Sequence, residues 1–256
     1  LLLAGPKYIP GVFLGAFAVN FIISDSPLFS LFAATGNMLE TVCAYWILTK
    51  LRPISLSIGR LSDLFKLLFY GAMISTLLSA VIGPLSLVIL EGITFNRLPS
   101  IALHWWMGNA IGIAFITPLI LFWVQSRQLP ENEISLELVA LYFLTIIMGQ
   151  IVLFHWFIPL NKTDLSIAWL LPFIIWSGLR AGQRHTSLLI LIIFLQALWS
   201  ASHDVGHYAN AMQDGGLVNF WLFGIVIVIG GTVLTVISAE NKKRQNKARI
   251  NEIELR

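Results

Sequence analysis

Eight apolar runs, separated by charged or turn-forming residues, constrain this chain more than any other feature of its sequence. A helix needs about 20 mostly apolar residues to cross the hydrocarbon core of a bilayer. The runs cover roughly residues 9–24, 28–49, 64–90, 101–124, 135–159, 166–179, 186–200 and 217–239. Only 11% of the residues are charged, whereas soluble domains carry about 25%. The pattern predicts an all-α fold, a polytopic transmembrane bundle of about eight helices. The sixth and seventh runs are short, and they fit either two helices that do not fully cross or a tilted hairpin.

The basic residues predict which side of the membrane each loop occupies, because cytoplasmic loops carry an excess of Lys and Arg. With eight alternating segments and a cytoplasmic C-terminus, only Arg97 and Lys162 of the 16 basic residues fall outside. With one helix fewer, the basic residues would no longer fall mainly on one side of the membrane. We therefore expect a multi-pass protein with a cytoplasmic C-terminal helix.

Glu40 is the most informative polar residue, since a carboxylate inside a lipid-spanning run costs several kcal/mol unless it is paired, protonated or facing water. Asn37 lies on the same face of the predicted helix, three residues earlier. Asn109 falls at a similar depth in the fourth run, if both runs cross from outside to inside. Two interpretations stay open for these three residues: a buried ligand or proton site, or hydrogen bonds that fix the register of the helices.

Small residues recur at four-residue spacing inside the runs, and such pairs let helix backbones approach closely in lipid. The pairs are Gly11 and Gly15, Gly71 and Ser75, Ser79 and Gly83, and Gly108 and Gly112. They predict a compact bundle.

The sequence gives little indication of a metal site, a disulfide or a catalytic site. His203, Asp204 and His207 are candidate metal ligands in the last external loop, but we favour a solvated loop there. Cys43 is the single cysteine, which excludes a disulfide within one copy of the chain. There is no phosphate-binding glycine loop, nucleophile elbow or zinc-protease motif. We expect no catalysis by this chain, no cofactor and no nucleic-acid partner.

Both ends of the sequence suggest a piece of a longer polypeptide. The chain opens at Leu1 without an initiator Met, and from Ala239 onward it becomes polar and rich in helix-forming residues. Residues 239–256 are predicted to form a cytoplasmic helix that leads to a further domain. An equally compatible interpretation is a basic patch held by anionic lipids.

Four segments, in this order along the chain, resemble motifs of the first class of MASE domains, the membrane-associated sensors of bacterial signalling proteins. Residues 8–20 resemble "WPGxFLGAxxxN", and residues 36–40 resemble "GNxLE". Residues 105–119 resemble "WWxGDAxGxxxxxPL", and residues 172–182 resemble "PxxxWxxxRxG". Two positions depart from the family pattern: Ile9 replaces a Trp, and Asn109 replaces a frequent Asp.

The resemblance implies a function that the residues alone do not. Residues 1–238 would be a sensor domain of the bacterial inner membrane whose first helix is missing ahead of Leu1. Residues 239–256 would link it to a diguanylate cyclase, cyclic-di-GMP phosphodiesterase or histidine kinase. We expect a homodimer in the lipid bilayer that responds to a small molecule, a lipid or a membrane protein. The candidate residues for ligand binding or coupling, taken from the matching motifs, are Asn37, Glu40, Trp106, Asn109 and Arg180.

Two rival functions remain. A secondary transporter would use Glu40 and His155 as an intramembrane proton site, although the sequence has no inverted repeat that favours it. A scaffold would only anchor a cytoplasmic enzyme to the membrane.

Overall fold

Helices account for most of the residues that the structure describes, which are 1–126, 135–156, 166–209 and 216–254 of a computed structural model. The α-helices in chain order are α1 (Ile9–Ser24), α2 (Pro27–Trp46), α3 (Leu61–Lys66), α4 (Leu77–Leu90), α5 (Leu98–Ser126), α6 (Leu136–Phe154), α7 (Leu171–Arg180), α8 (Gly182–Ser202) and α9 (Gly216–Glu254). The described residues contain no strand.

Seven helical segments of the described residues are long and apolar enough to cross a membrane. They are Pro6–Ser24, Pro27–Leu51, Leu61–Leu90, Phe95–Val124, Leu136–Phe154, Gly182–Ser202 and Gly216–Ile253. The sixth predicted run corresponds to a shorter apolar helical segment, Ile167–Arg180. The prediction of an all-α polytopic bundle is therefore confirmed, and the protein is a multi-pass membrane protein.

The residues cluster into two compact units. The first unit contains Leu1–Leu56 and Ser62–Ala114, and the second contains Ser57–Leu61 and Phe115–Arg256. These units follow packing, whereas the predicted boundary at residue 238 follows composition and stays a prediction.

In the first unit, local sequence signals fix the hairpin of α1 and α2. Asp25 adopts a left-handed conformation, with φ 51°, and ends α1. Ser26 then caps α2 by accepting a hydrogen bond from the backbone nitrogen of Phe29, and Pro27 occupies the first turn. This short connection makes α1 and α2 neighbours.

The third apolar run is not one regular α-helix. Residues Leu67–Ile74 form wider π-helical turns between α3 and α4. Ser75 and Thr76 follow, and their buried hydroxyl groups donate to the carbonyl oxygens of Gly71 and Ala72. These bonds satisfy backbone acceptors where the helical pattern changes, as a lipid-spanning segment requires.

In the second unit, α7, α8 and α9 pack closely because small residues lie between them. A Cβ atom on Gly178 would lie 2.9 Å from Leu234 of α9. One on Gly231 would lie 2.4 Å from Ile190 of α8 and 2.9 Å from Ile174 of α7. These distances are shorter than real Cβ contacts, so the glycines permit the observed spacing of the three helices.

Helix α6 begins and ends at identifiable residues. Ser135 caps it by accepting from the backbone nitrogen of Leu138. His155, with φ 56°, is left-handed and ends the helix at Phe154. The predicted run extended to residue 159, whose position lies outside the described residues.

Helix α9 has 39 residues and continues without interruption from the apolar segment into the polar tail. At 1.5 Å per residue it is about 58 Å long. Most of its residues from 241 to 253 are exposed. The polar tail from Ala239 to Glu254 thus continues the last apolar helix, as the helix-forming residues of this segment predict.

Candidate functional site

The first unit encloses a cluster of four polar side chains: Asn37 and Glu40 of α2, Ser79 of α4 and Asn109 of α5. Glu40 is 6% exposed and Ser79 is 1% exposed, although both lie in apolar segments. The hydroxyl group of Ser79 donates a hydrogen bond to Oε2 of Glu40. Nδ2 of Asn109 lies 3.1 Å from the same oxygen. Three helices thus meet at the Glu40 carboxyl group.

Asn109 also connects the other members of the cluster. Its Nδ2 lies 2.7 Å from Oγ of Ser79 and 3.3 Å from Oδ1 of Asn37. That nitrogen carries two hydrogens, whereas three acceptor atoms lie within hydrogen-bond distance. Only two of the three can be satisfied by Asn109 at any one time. The network therefore permits more than one pairing of the same side chains.

Close helix packing positions Ser79 beside Glu40. A Cβ atom on Gly36 would lie 3.3 Å from the Cα atom of Ser79 and 3.2 Å from Cβ of Ile82. Gly36 precedes Glu40 by about one helical turn, so the backbone of α4 approaches α2 just beside the carboxyl group. A larger residue at this position would push Ser79 away from Glu40.

Two tryptophans flank the cluster on α5. Nε1 of Trp106 donates a hydrogen bond of 2.9 Å to the carbonyl oxygen of Met73, within the π-helical segment. The indole ring of Trp105 lies against Gly83 of α4 and meets the ring of Phe29 edge-on, at 6.2 Å between centroids. Trp105 is one turn from Asn109, and Gly83 is one turn from Ser79. The Trp105–Gly83 contact therefore lies next to the Asn109–Ser79 hydrogen bond.

The cluster has the chemistry of a site that binds a proton, a small cation or a hydrogen-bond donor. A carboxyl group almost closed off from solvent is sensitive to any change in its partners, because an unmatched charge in an apolar bundle costs several kcal/mol. Among the described residues, none of the ion pairs includes Glu40. Within the described structure, the neutral donors Ser79 and Asn109 hold the carboxyl group.

Arg180 lies at the end of α7, in the second unit, whereas the four-residue cluster belongs to the first unit. Its Nε and Nη2 atoms each lie 3.0 Å from an oxygen of Glu137, at the start of α6. Nε1 of Trp176 donates to the same carboxylate at 2.9 Å. This bidentate pair is exposed, so it fixes the geometry of the two helix ends more than it stabilises them.

The basic residues at the start of α8 lie near this pair in sequence. The guanidinium group of Arg184 lies 3.9 Å from the ring centroid of Trp123, an arrangement typical of a cation–π interaction. The hydroxyl group of Tyr142 lies 3.2 Å from Nδ1 of His185. The hairpin between α7 and α8 is therefore tied to α5 and α6 by aromatic residues.

The three candidate metal ligands do not converge. The ring of His203 stacks on Trp199 at 4.2 Å between centroids. Asp204 is left-handed, with φ 53°. The ring of His207 lies edge-on to that of His155, at 6.2 Å. Within the described ranges, no group of three or more His, Cys, Asp or Glu residues could hold a metal ion.

The proximity of Asn37, Glu40 and Asn109 was predicted from the sequence. Two other contacts of candidate residues were not predicted, one made by Ser79 and one made by Glu137. Ser79 was recognised only as one of a pair of small residues with Gly83, yet its hydroxyl group is a member of the cluster. Glu137 lies in none of the motifs, although it pairs with Arg180. In both cases the missing information was which helices lie side by side, which neither composition nor spacing contains.

The stacked apolar helices and the enclosed polar cluster define a polytopic membrane protein with a buried polar site. Residues 1–244 match the family model of MASE1. The chain therefore belongs to the MASE1 family of membrane-associated sensor domains, which are sensory and not catalytic. The resemblance drawn from the sequence motifs is confirmed. Comparisons with curated proteins and with solved structures find no match.

Proposed function

We propose that this chain is the input domain of a signalling protein of the bacterial inner membrane, with its C-terminus in the cytoplasm. The output would be a diguanylate cyclase, a cyclic-di-GMP phosphodiesterase or a histidine kinase that follows the tail of α9. Membership of a family of sensory membrane domains supports this proposal. The bias of basic residues toward one side supports the orientation if the shorter segment Ile167–Arg180 counts as one of eight crossings.

The observation that carries the proposal is the continuity of α9. One helix runs from Gly216, among the packed apolar helices, to Glu254 in the exposed tail. A continuous helix transmits a rotation or a translation along its length, because each turn is hydrogen-bonded to the next. A change in the packing at Gly231 or Leu234 would thus alter the position of the tail residues. A separate, flexible tail would not have this property.

The cluster of Asn37, Glu40, Ser79 and Asn109 is the proposed sensing core, with Trp106 and Arg180 in coupling roles. A signal shifts an equilibrium only if it interacts differently with the two states. Because three acceptors compete for the two hydrogens of Asn109, the cluster has alternative pairings that a proton, a cation or a ligand could select. We infer that these pairings differ between the two signalling states.

Inserting alanines into α9 tests the coupling. In the full signalling protein, one to four alanines are inserted between Glu240 and Asn241, beyond the packed part of the helix. Each residue rotates the following segment by about 100°, and four insertions return it to within about 40° of its first orientation. We expect the output activity to change strongly with one or two insertions and to recover with four. The matched control is the replacement of Asn241 by alanine, which changes the same region without rotating the residues that follow.

Output that stays constant through all four insertions would contradict coupling through a continuous helix. Exchanging residues 1–238 for an unrelated membrane anchor then separates a sensor from a scaffold. A scaffold predicts that regulated output survives this exchange at equal membrane abundance, whereas the sensor proposal predicts that regulation is lost.

A further inference from the structure

The loop between α2 and α3, residues 52–60, has one fully buried side chain. Leu56, Gly59 and Arg60 are exposed, whereas Ile58 is 0% exposed. Residues 57–61 also belong to the second unit, although the residues on both sides of them belong to the first. Ile58 is therefore the side chain by which an otherwise exposed loop is packed into the second unit.

Ile58 holds this position in an unfavourable backbone conformation. Its φ is 40°, in the left-handed region. The other described non-glycine residues with positive φ are Asp25, His155 and Asp204, and residues of these types adopt it more readily. A β-branched residue with positive φ is an outlier. Strain of this kind persists only where surrounding contacts hold it, and it is concentrated at functional and switch regions.

Two interactions oppose this strain. The Ile58 side chain is removed from water, which favours the docked loop. Nε2 of Gln183, in the first turn of α8, donates a hydrogen bond of 3.3 Å to the carbonyl oxygen of Ile58. Burial and backbone strain have similar magnitudes and opposite signs, so a single hydrogen bond is enough to shift the balance between a docked and a released loop.

The beginning of the loop is fastened separately from Ile58. The backbone nitrogen of Ile54 donates a hydrogen bond of 3.1 Å to the carbonyl oxygen of Leu48. Nζ of Lys66, at the end of α3, donates one of 3.0 Å to the carbonyl oxygen of Pro53. Release of Ile58 would therefore free the tip of the loop while these bonds keep its beginning in place.

We propose that residues 52–60 form a latch that regulates the start of α8. In the docked state, Ile58 and Gln183 hold the tip in the second unit, and in the released state Ile58 returns to a negative φ. The latch follows α2, which carries Glu40, so a movement of α2 shifts the balance between the two states. Helix α8 packs against α9 where Ile190 faces Gly231. The link from the latch to the output rests on the function proposed above, whereas the two states of the loop do not.

Limited digestion with trypsin tests the latch. Arg60 is exposed and lies two residues after Ile58, whereas Arg52 precedes Pro53, a bond that trypsin does not cut. The rate of cleavage follows the population of the released form when the loop opens and closes quickly. The full-length protein in bilayer nanodiscs is digested, and mass spectrometry follows the fragment that ends at Arg60. Cleavage in the exposed tail, at residues 242–249, is the internal reference for protease activity.

Gln183→Leu removes the hydrogen bond that holds the tip. It should raise the rate of cleavage after Arg60 about fivefold, the effect of one hydrogen bond. Gln196→Leu is the matched control, because it removes a hydrogen bond of 3.2 Å to the carbonyl oxygen of Ile146 from a later turn of α8. It should leave the rate unchanged. Equal rates in the two variants would overturn the proposal.

Ile58→Gly and Ile58→Ala isolate the backbone strain, because both remove most of the apolar side chain. Glycine adopts a positive φ without strain, so Ile58→Gly should be cleaved at least about fivefold more slowly than Ile58→Ala. In a loop without strain the order is reversed, since glycine makes the released chain more flexible. Equal rates, or faster cleavage of Ile58→Gly, would overturn the proposal. Unchanged helicity by circular dichroism establishes that each variant folds.

The output activity of the full signalling protein tests the regulatory role. Gln183→Leu favours release, and Ile58→Gly favours docking relative to Ile58→Ala, so the two comparisons should shift the output in opposite directions at equal membrane abundance. Constant output together with the expected cleavage rates would overturn this role. Failure of the proposed function is distinguishable, because it appears as regulated output that survives the exchange of residues 1–238 and leaves the cleavage rates as predicted.

Discussion

Replacing Gly83 by alanine tests the packing beside the polar cluster. The new Cβ atom would lie 2.5, 2.7 and 2.8 Å from three ring atoms of Trp105. Carbon atoms pack best at about 3.5–4.0 Å, so the indole ring must move by about 1 Å. Phe29 meets the ring edge-on and limits this movement. Overpacking of this kind lowers the free energy of unfolding by about 1–3 kcal/mol, and the higher helix propensity of alanine offsets about 0.5–1 kcal/mol of this loss.

We therefore expect Gly83→Ala to lower the free energy of unfolding by about 1–2 kcal/mol. The assay is reversible unfolding by sodium dodecyl sulfate in mixed micelles, followed by circular dichroism. Gly112→Ala is the matched control in a neighbouring helix, because nothing lies within 4 Å of the added Cβ atom. It should leave stability unchanged or raise it. A Gly83→Ala protein as stable as the Gly112→Ala protein would refute the packing argument.

Two further variants test the polar cluster and the turn at Gly206–Tyr208 by the same assay. Asn109→Leu removes the amide nitrogen that three acceptors share. Since each interhelical hydrogen bond contributes about 0.6 kcal/mol, the free energy of unfolding should fall by about 1–2 kcal/mol. Asn20→Leu should cost less, because the Asn20 amide bonds only within its own helix; equal costs would contradict the network. Gly206→Ala should be strongly destabilising, because its Cβ atom would lie 1.9 Å from the carbonyl oxygen of Leu153. Gly92 has a similar positive φ, but nothing lies within 4 Å of an added Cβ atom, so Gly92→Ala should cost only about 1 kcal/mol. Similar losses for the two glycine variants would mean that the backbone conformation alone decides the effect.

The sequence predicted the helices well because each run is long, apolar and bounded by charged or turn-forming residues. The polar cluster was also partly predictable, since Asn37 and Glu40 share a helix face and Asn109 lies at a matching depth. These inferences depend on helical period and membrane thickness, which are properties of a single segment.

The contacts that depend on neighbouring helices were not predictable from one sequence. Four pairs of small residues have the same spacing, but the members behave differently. Gly71 and Gly83 lie against side chains of other helical segments, whereas Gly11, Gly15, Gly108 and Gly112 have nothing within 4 Å of an added Cβ atom in the described structure. Spacing indicates where a close approach is permitted, and only the arrangement of the helices decides where it occurs.

The central claim is that the Glu40 carboxyl group is kept in the apolar bundle for signal reception. The most direct test is the output activity of the full signalling protein carrying Glu40→Gln, compared at equal membrane abundance with the unmodified protein. Glu91→Gln serves as the control, because Glu91 is an exposed glutamate at the end of α4. The account predicts that Glu40→Gln changes the output at least about fivefold, the lower limit of typical coupling between sites, and that Glu91→Gln does not. Unchanged output together with unchanged abundance in Glu40→Gln would contradict it.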